Sequence, residues 1–470
     1  MIRLNPAEIA RAAGAQIVAG EASAKGAGDA PVRAVVDSRA VSAGDLFVGL
    51  PGERADGGTF AAAAIEQGAW GVVVAPGHAV PAQHGARVFE VADPLAALAG
   101  LARAWLERLR EDGCRVVGIT GSTGKTSTKD ILHSMLGPAL GGRVHANREN
   151  YNTEVGLPLT VLEAEAGVQV LVLEMAMRGM GQIRELAQIA HPDVGVITNV
   201  GPVHLELVGA VEQVAEAKAE LIAELAPGAA CVVPAGEQAL QAYLRGDVRT
   251  ITFAVRGSPF ADVRALSVES GEGHTRLEVA VGERRTALLL NFSQAHNVTN
   301  ALAAIAVAHA LGIEPEALAE GARTVRFSGL RGEEIELPDG VLIVNDCYNA
   351  NPVSMRAAIA DLVARAGRRD APRMVAVLGD MRELGPSAAD FHREIGALAA
   401  DAGVTLVVAV GEHAGDYAAG HGGDVRRAAD ADEAAAIVPD LIEAGDVVLA
   451  KASRGVGLEA VTRALEGVPT

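Results

Sequence analysis

The sequence has 470 residues, half of them hydrophobic, and its 59 acidic and 40 basic residues give a formal net charge of −19 at pH 7. At about 150 residues per domain, this length predicts about three domains rather than a single hydrophobic core. The acidic balance argues against nonspecific binding to nucleic acid or to an anionic membrane, because no basic patch interrupts it.

Cysteine usage and hydropathy bear on the compartment. Cys114, Cys231 and Cys347 are far apart and have no metal-ligand or Cys-x-x-Cys spacing, which is typical of a reduced protein in the cytoplasm. No uninterrupted apolar run reaches the roughly 20 residues that a membrane-spanning helix needs. We therefore expect a cytoplasmic protein without a membrane span.

Residues 1–112 are predicted to form a small N-terminal α/β domain. Apolar runs predict strands at 32–36, 45–50, 70–74 and 88–91, and helical patterns lie at 59–67 and from the Asp93-Pro94 start signal to about Arg110. The first strand leads into Asp37-Ser38-Arg39. Ser38 and Arg39 could hold a diphosphate, but a solvated turn explains them equally well.

The stretch from Gly118 to Lys129 is the strongest functional signal in the chain. It follows the apolar run 115–117 and opens a predicted helix, which is the strand, glycine turn and helix order of a phosphate-binding loop. The residues predicted to contact nucleotide phosphates are Gly121, Ser122, Thr123, Gly124, Lys125, Thr126 and Ser127. The two glycines allow close approach of the main chain, Lys125 supplies a cation, and Thr126 offers a hydroxyl to Mg²⁺.

The rest of the central region, 113–327, is predicted to be a P-loop domain with a parallel sheet. Buried strands at 168–173 and 194–200 deliver Glu174 and then His204. Because ligands bind beyond the carboxyl ends of such strands, Thr126, Glu174 and His204 are expected on one rim, as a metal site. A lone histidine is more often structural, but the neighbouring carboxylate and phosphate loop favour a ligand.

Two further features of the central region concern its second half. Strand-like alternation from 248 to 290 predicts a β insertion at the sheet edge. A helix then opens at His296, with Asn297 and Asn300 on one helical face. Their amides could read an adenine edge; N-capping would explain one of them but not both.

Residues 328–470 are predicted to form a Rossmann-like domain without a G-x-G-x-x-G motif. Four apolar strands, at 341–344, 374–378, 406–410 and 447–450, alternate with helices. Polar residues follow each strand, in the segments 345–352, 379–385, 411–413 and 451–454. These groups are expected to collect on one edge that faces the central domain.

Together these stretches resemble the Mur ligase family of peptidoglycan amino-acid ligases, over nearly the whole chain. The matching segments are the phosphate loop 120–126, the Asn-rich loop 150–158, the metal segments 197–206 and 217–220, and the adenine segment 296–300. The family's phosphate loop also lacks the early glycine, which explains Ile119 at that position. Segments 346–355 and 378–385, followed by His392, resemble those of the family member that adds a D-alanyl dipeptide.

The resemblance also shows two departures. Gly58 stands where a histidine often follows Asp-Gly in the first domain. The arginine near the third-domain boundary occurs as Leu330-Arg331-Gly332, slightly displaced from the usual Gly-Arg pair.

The resemblance implies an ATP-dependent amide ligase that acts through an acyl phosphate and a tetrahedral intermediate. Its implied substrates are UDP-N-acetylmuramoyl-tripeptide and D-alanyl-D-alanine, and we expect a cytoplasmic monomer. The implied catalytic residues are Lys125, His204 and Lys218. One Mg²⁺ is expected at Thr126 and Glu174, and a second at His204 and a carbamylated Lys218, a lysine to which composition alone assigns no role.

The remaining implied contacts divide by ligand. For ATP, Asn297 and Asn300 hold adenine, while Arg331 and Asp346 hold ribose and phosphates. The implied substrate-binding residues are Ser38 and Arg39 for the UDP end, Lys451, Ser453 and Arg454 for the dipeptide, and Asn150, Asn152, Asn349 and Asn351 elsewhere in the site.

Two other functions remain open from the sequence. Another amide ligase of this architecture, such as a different Mur ligase or folylpolyglutamate synthetase, would use the same chemistry, although the N-terminal module and the Asn-Ala-Asn-Pro stretch at 349–352 argue against a folate substrate. A regulatory P-loop ATPase would hydrolyse ATP without joining two substrates. Whether the tripeptide ends in lysine or meso-diaminopimelate is left undecided.

Overall fold

The computed structural model describes residues 4–20, 30–53, 55–78, 85–148 and 150–467. These ranges form three α/β domains, each organised around its own sheet, which confirms the predicted fold class. The strands are β1 (Gln16–Ala19), β2 (Ala34–Val35), β3 (Leu46–Val48), β4 (Gly71–Val74), β5 (Arg87–Glu90), β6 (Arg115–Thr120), β7 (Val144–Ala146), β8 (Val170–Glu174), β9 (Val194–Ile197), β10 (Ala230–Pro234), β11 (Arg249–Ala254), β12 (Val263–Ser270), β13 (Thr275–Val281), β14 (Arg284–Leu290), β15 (Glu333–Glu336), β16 (Leu342–Asn345), β17 (Met374–Gly379), β18 (Leu406–Val410), β19 (Val425–Ala428) and β20 (Val447–Lys451).

Helices connect most of these strands. The α-helices are α1 (Pro6–Ala13), α2 (Ala61–Glu66), α3 (Pro94–Glu111), α4 (Lys125–Ala139), α5 (Gly156–Glu163), α6 (Gln182–Ala190), α7 (Leu205–Val208), α8 (Val211–Glu224), α9 (Ala295–Ala310), α10 (Ala319–Ala322), α11 (Pro352–Arg369), α12 (Ala388–Asp401), α13 (Ala414–His421), α14 (Ala431–Ile437) and α15 (Glu459–Leu465). Short 3₁₀ turns lie at Ser38–Ala40, Gly57–Phe60, Gln238–Tyr243, Pro315–Leu318, Gly385–Ser387, Val438–Asp440 and Arg454–Val456. No helix in the described ranges combines the length and the apolar character needed to cross a bilayer.

The first sheet has the strand order β1-β5-β4-β3-β2. β2 to β5 pair in parallel, whereas β1 pairs antiparallel with β5. Asp93 starts α3 as predicted, because its carboxylate accepts hydrogen bonds from the first free N–H groups of the helix. The segments that leave β2, β3 and β4 share one edge of the sheet, and Ser38 and Arg39 lie in the first of them.

Helix α3 fixes the first domain to the second. Its buried Trp105 donates a hydrogen bond from Nε1 to Ala164 O at 3.0 Å. One hydrophobic core runs from α1 and α3 to α5, α6 and α8. The first two domains therefore share apolar packing and form one unit.

The second sheet has nine strands in the order β14-β13-β12-β11-β10-β9-β6-β8-β7. The seven strands from β7 to β12 in this order pair in parallel, and β12, β13 and β14 then form an antiparallel meander at one edge. The predicted β insertion is thereby confirmed. Helices α4 and α9 cover one face, and α5, α6 and α8 cover the other, which explains why β8 and β9 are buried along their whole length.

The third sheet has the order β15-β16-β20-β17-β18-β19, in which only β15 is antiparallel to its neighbour. The predicted Rossmann-like arrangement is confirmed, with the last strand of the chain inserted between β16 and β17. Asn345 of β16 pairs with Ala450 of β20. The next residues, Asp346 and Lys451, therefore leave the sheet side by side at its carboxyl edge.

Candidate active site

A cleft of about 650 Å³ lies between the central and the third domain. It is lined by the phosphate loop, the segments after β8 and β9, the start of α9, and the carboxyl edge of the third sheet. Most residues predicted for the site line it, namely Gly121, Ser122, Thr123, Gly124, Lys125, Thr126, Ser127, Asn150, Asn152, Glu174, His204, Lys218, Asn297, Asn300, Arg331, Asp346, Asn349, Asn351 and Lys451.

The glycines of the phosphate loop are required by space and by backbone geometry. Gly121 has φ 151°, and a Cβ there would lie 1.9 Å from Thr198 Oγ1. Gly124 has φ 78°, and a Cβ there would lie 2.4 Å from Asn300 Oδ1. Only glycine tolerates both constraints, so the loop can bring its main-chain N–H groups close to an anion at the start of α4.

The segment after β9 holds the phosphate loop in place by hydrogen bonds. This role was not predicted from the sequence. Thr198 Oγ1 donates to Thr123 O at 2.5 Å, and Asn199 Oδ1 accepts from Thr123 N at 2.9 Å. Ser122 Oγ accepts from Gly201 N at 2.9 Å. The Thr-Asn-x-Gly stretch was the available signal, since these short polar residues commonly bond to nearby main chain.

Lys125 and Thr126 connect the loop to β8. Lys125 Nζ donates to Gly121 O at 2.7 Å, and its burial lowers the pKa of the ammonium, a shift that the charge of Glu174 opposes. Thr126 Oγ1 donates to Glu174 Oε2 at 2.7 Å and accepts from Arg331 Nη2 at 2.9 Å. Hydroxyl, carboxylate and guanidinium groups thus meet at Thr126, and the Lys125 ammonium lies on the adjoining loop, an arrangement suited to binding an anion and a metal ion.

The carboxylate of Glu174 is held on both sides. Asn152 Nδ2 donates to Glu174 Oε1 at 2.9 Å. Behind it, the buried Asn147 bonds the main chain of Glu174 in both directions and also donates to Tyr151 O at 2.9 Å. Asn147 was missed from the sequence, because its partners are 4 and 27 residues away.

The oxygens of Thr126 and Glu174 match the way in which Mg²⁺ is usually bound, together with phosphates and water, rather than a metal held by protein side chains alone. In the described part of the chain, no three His, Cys, Asp or Glu side chains converge as a metal-binding group. Mg²⁺ is usually held by one or two protein oxygens, substrate phosphates and water. Thr126 Oγ1 and Glu174 Oε2 are such a pair of oxygens.

His204 and Lys218 both line the cleft, but their side chains differ in their partners. His204 Nδ1 lies 2.5 Å from Glu383 Oε2 of the third domain, and this hydrogen bond lowers the pKa of Glu383. Lys218 is buried within α8, and no hydrogen bond or ion pair to its side chain is found within the described ranges. Burial, followed by the charge of Lys125, shifts the pKa of Lys218 well below its ordinary value. Burial therefore destabilises the charged ammonium form of Lys218.

Asn297 and Asn300 bond to one another at the start of α9. Asn300 Nδ2 donates to Asn297 Oδ1 at 3.0 Å; both side chains are buried, and that of Asn300 lies against Gly124. The residue before the helix is Gln294, which makes no side-chain cap. N-capping therefore explains neither asparagine, and both remain available to a ligand in the cleft.

Third-domain residues bring aromatic and charged groups to the same cleft. Arg331 Cζ lies 3.9 Å from the centre of the Tyr348 ring, and Arg331 Nε is buried without a partner among the described residues. Lys451 Nζ lies 2.5 Å from Asp346 Oδ2 and donates to Asn349 O at 2.9 Å. Lys451 thus holds the loop after β16. Tyr348 was not predicted as a site residue.

The two predicted asparagines of this loop also have local partners. Asn351 Oδ1 caps α11 by accepting from Ser354 N at 2.9 Å. Asn349 Oδ1 accepts from Ala350 N at 2.9 Å. Their carbonyl oxygens are therefore used by the fold, and their amide nitrogens are the groups left for the cleft.

Four predicted substrate residues lie outside this cleft. Ser453 Oγ accepts from Arg382 N at 2.9 Å, and Arg454 Nη1 lies 3.3 Å from Glu459 Oε1. Ser38 and Arg39 lie in the first domain, where the Arg39 side chain is 89% exposed and donates from Nε and Nη2 to the two carboxylate oxygens of Asp37. That hydrogen bonding lowers the pKa of Asp37 to about 2.

The space beside Gly58, where a histidine side chain was expected from the family, is occupied by a different histidine. His78 lies directly over it, since a Cβ at Gly58 would be 2.5 Å from His78 Nε2. His78 Nε2 is also 3.3 Å from Asp56 Oδ2. An imidazole from another loop therefore fills the space beside the Asp56-Gly57-Gly58 turn.

Comparison with known proteins gives matches along the whole chain. Residues 33–106 match the family described as Mur ligase family, catalytic domain; residues 119–308 match Mur ligase middle domain; and residues 330–454 match Mur ligase, glutamate ligase domain. The UDP-N-acetylmuramoyl-tripeptide–D-alanyl-D-alanine ligase of Bacillus subtilis is 36% identical over 434 residues, which cover 91% of this chain and 92% of the relative.

Solved structures agree with these matches. A crystal structure of MurF from Acinetobacter baumannii superposes with a TM-score of 0.86 at 27% identity, covering 99% of both chains. The MurF ligase of Thermotoga maritima in complex with ADP gives 0.78 at 31% identity, covering 93% of this chain and 97% of that one. The resemblance read from the motifs is confirmed, and the chain belongs to the Mur ligase family.

Proposed function

We propose that this protein is an ATP-dependent ligase that joins D-alanyl-D-alanine to UDP-N-acetylmuramoyl-tripeptide in peptidoglycan precursor synthesis, releasing ADP and phosphate. The B. subtilis relative is named for this reaction, and the T. maritima neighbour was solved with ADP. One observation carries the proposal: the Thr126 hydroxyl of a glycine-lined phosphate loop is hydrogen-bonded both to Glu174 and to Arg331 of the third domain.

The chemistry follows from the substrates. Forming an amide from a carboxylate in water is uphill, so the tripeptide carboxylate first attacks the γ-phosphorus of ATP, and ADP leaves. The dipeptide amine then attacks the acyl carbon, loses a proton, and phosphate departs. Charge develops on the phosphoryl oxygens and then on the tetrahedral oxygen, where fixed cations and N–H donors stabilise it. Lys125 and Arg331 are the cations that we assign to this role.

Metal binding belongs to the same proposal. Thr126 and Glu174 would hold Mg²⁺ with the nucleotide phosphates, where the ion would offset charge on the transferring phosphoryl group. We propose a second ion at His204 and a carbamylated Lys218. Two observations support this: Lys218 lines the same cleft as His204, and burial disfavours its charged ammonium, the form that does not react with carbon dioxide.

Substrate contacts are proposed from position in the fold. Asn297 and Asn300 are assigned to adenine, and Asp346 with Arg331 to ribose and phosphates, since all four line the cleft beside the phosphate loop. The amides of Asn150, Asn152, Asn349 and Asn351 are assigned to the peptides in the cleft. Ser38 and Arg39 are assigned to the UDP end, at an edge of the first sheet.

The dipeptide is assigned to the third domain, at the end of β20. Lys451 lines the cleft but is bonded to the loop after β16, so we assign it, with Ser453 and Arg454, to shaping the surface against which the dipeptide lies. We place the domain bounds at 1–112, 113–327 and 328–470. We further propose a cytoplasmic monomer, which the three buried, unpaired cysteines support for the compartment.

The deciding experiment is phosphate release with purified protein and a panel of UDP-muramoyl tripeptides ending in lysine or in meso-diaminopimelate. Each is assayed with and without D-alanyl-D-alanine. We expect phosphate release to require both substrates. The tripeptide that gives the faster release then identifies the third residue as lysine or meso-diaminopimelate. Equal ATP hydrolysis without them would indicate a regulatory ATPase, and turnover with a folate and glutamate would indicate the alternative ligase.

A further inference from the structure

The central and third domains meet at a second place, beyond the phosphate loop. Glu383, in the segment after β17, contacts three central-domain groups. Its Oε2 lies 2.5 Å from His204 Nδ1, its Oε1 lies 3.7 Å from Arg178 Nε, and its carbonyl accepts from Glu206 N at 3.3 Å. Both the side chain and the main chain of Glu383 therefore contact the central domain.

The backbone on both sides of this contact is strained. Among the described residues, the non-glycine residues with positive φ are His191, His204, Leu330, Asp370 and Glu383. His204 has φ 54° and Glu383 has φ 63°, so the two hydrogen-bonded residues are both in the left-handed region. Such conformations persist only where the surroundings impose them, and they concentrate at functional sites.

The hydrogen bond has a consequence for the imidazole. When Nδ1–H donates to a carboxylate, the second ring nitrogen, Nε2, is left as the acceptor. Metal-binding histidines are commonly oriented by a carboxylate in this way. His204 lines the cleft, and within the described ranges Glu383 is the residue to which its ring is hydrogen-bonded.

We propose that Glu383 is a positioning residue that prepares His204 to bind a divalent cation, and does so only while the third domain is seated on the central one. Domain closure and completion of the second metal site are then one event. An open third domain withdraws the carboxylate and leaves the imidazole unoriented. The inference rests on the proposed function for the presence of a metal–nucleotide complex in the cleft.

The test is Mn²⁺ binding to the full-length protein with ADP, followed by electron paramagnetic resonance. We expect Glu383→Ala to weaken Mn²⁺ binding by about 10- to 100-fold, the usual effect of removing an orienting partner. Glu383→Gln, which still accepts the hydrogen bond, should recover most of that loss. Glu206→Ala removes an exposed carboxylate two residues from His204 and should change binding by less than about twofold, as expected of a screened surface charge.

A double-mutant cycle separates positioning from a general effect. If Glu383 acts through His204, then His204→Ala weakens Mn²⁺ binding as Glu383→Ala does, and the two losses do not add. Additive losses, equal losses in Glu383→Ala and Glu206→Ala, or an unchanged affinity in Glu383→Ala would each overturn the proposal. If Glu383→Ala does not fold, Glu383→Gln provides the test. A Glu383→Gln protein that binds Mn²⁺ as weakly as a folded His204→Ala protein would exclude orientation of His204 through this hydrogen bond.

The outcome is independent of the ligation assay. If the cycle is non-additive but the substrate panel gives no ligation, the positioning role stands and the proposed substrates are wrong. If ligation is found but Glu383→Ala binds Mn²⁺ as tightly as the unaltered protein, the proposed function stands and this inference is wrong.

Discussion

Gly124 shows how one residue connects backbone geometry to ligand binding. We predict that Gly124→Ala destabilises the protein by about 1–2 kcal/mol, because alanine strains a left-handed backbone by roughly that amount, and a Cβ would also lie 2.4 Å from Asn300 Oδ1. ATP binding should weaken as well, since Asn300 must shift. Denaturation and calorimetric titration measure the two effects.

The matched control is another glycine of the same segment. Gly137 lies within α4, and a Cβ there would meet nothing within 4 Å. Gly137→Ala should therefore stabilise the helix by about 0.5–1 kcal/mol and leave ATP binding unchanged. Equal effects of the two substitutions would show that space and φ at Gly124 do not matter.

Lys218 is the residue to which we assign a carbamate. We predict that Lys218→Ala lowers the ligation rate by at least about 100-fold, the scale seen when one charge-stabilising group is lost. Added formate or acetate should restore part of the rate by entering the vacated space as a carboxylate. The comparison is Lys125→Ala, which removes a cation and should gain nothing from these anions. A Lys218→Ala protein with normal turnover would rule out a carbamate ligand.

At the residue scale, the sequence predicted the site residues that directly follow strands, but it did not predict the residues that hold the site in place by hydrogen bonds. Thr126 and Glu174 were predictable because parallel strands end at one edge, and they are hydrogen-bonded as expected of a shared site. Asn147 and Asn199 were not, because their partners are fixed by tertiary contacts many residues away. The same is true of His78, whose place over Gly58 nothing in the local sequence indicates.

At the scale of elements, the segment from β17 to α12 is held by one buried histidine. His392 Nε2 accepts from Met381 N at 2.9 Å, and its Nδ1 lies 2.6 Å from Ala388 O, to which it donates. Both bonds together require the neutral imidazole. Burial lowers the pKa of His392 below the ordinary 6.5, so protonation would remove the acceptor that holds the chain next to Glu383.

The sign of the pH effect follows from that shift. As pH falls below about 6.5, the unfolded chain takes up a proton at this site before the folded chain does, so stability declines towards the lower folded pKa. The loss is at most about 1.4 kcal/mol per pH unit for one proton. We predict that His392→Phe flattens this part of the curve in urea denaturation between about pH 7.5 and 5.5. His274→Asn, on an exposed turn, should leave it unchanged; an unaltered slope in His392→Phe would contradict the assignment.

The strands that were predicted correctly from the sequence are the buried ones. The parallel strands β6, β8 and β17 were found from their apolar runs, because helices cover both faces of their sheets. β15 was missed, since its sequence Glu-Glu-Ile-Glu has little strand character and forms a strand through antiparallel pairing with β16. β1 and β19 are likewise partly exposed strands at sheet edges, where pairing rather than local preference decides.

At the scale of the whole molecule, the two domain junctions are built differently. The first and central domains share one hydrophobic core, whereas the third domain has its own cores and meets the central one largely through polar groups. Three domains and their order were predictable from length and pattern. The contrast between a fixed and a polar junction was not, because it depends on which faces pack together. Polar junctions favour relative motion, as a ligase that must admit two substrates and then exclude water requires.

The connection to the third domain runs antiparallel along α4 and is bonded to it at successive turns. Arg326 N donates to Ser134 Oγ at 3.4 Å, Ser328 N to Asp130 Oδ2 at 2.8 Å, and Arg331 Nη2 to Thr126 Oγ1 at 2.9 Å. The three helix residues are spaced by four, so they lie on one face of α4. The middle bond therefore sets where Arg331 arrives at the phosphate loop.

We predict that Asp130→Ala lowers kcat by about 10-fold while the KM for ATP changes little, because a misplaced positioning group affects the transition state more than ground-state binding. Asp130→Asn keeps an oxygen for Ser328 N, so it should retain most of the activity, although both variants lose the ion pair with Lys129 at 3.1 Å. Ser134→Ala removes the longest of the three bonds and serves as the control. Steady-state kinetics of the three variants make the comparison; equal losses in Asp130→Ala and Asp130→Asn would assign the effect to Lys129 and leave the linker without a role in placing Arg331.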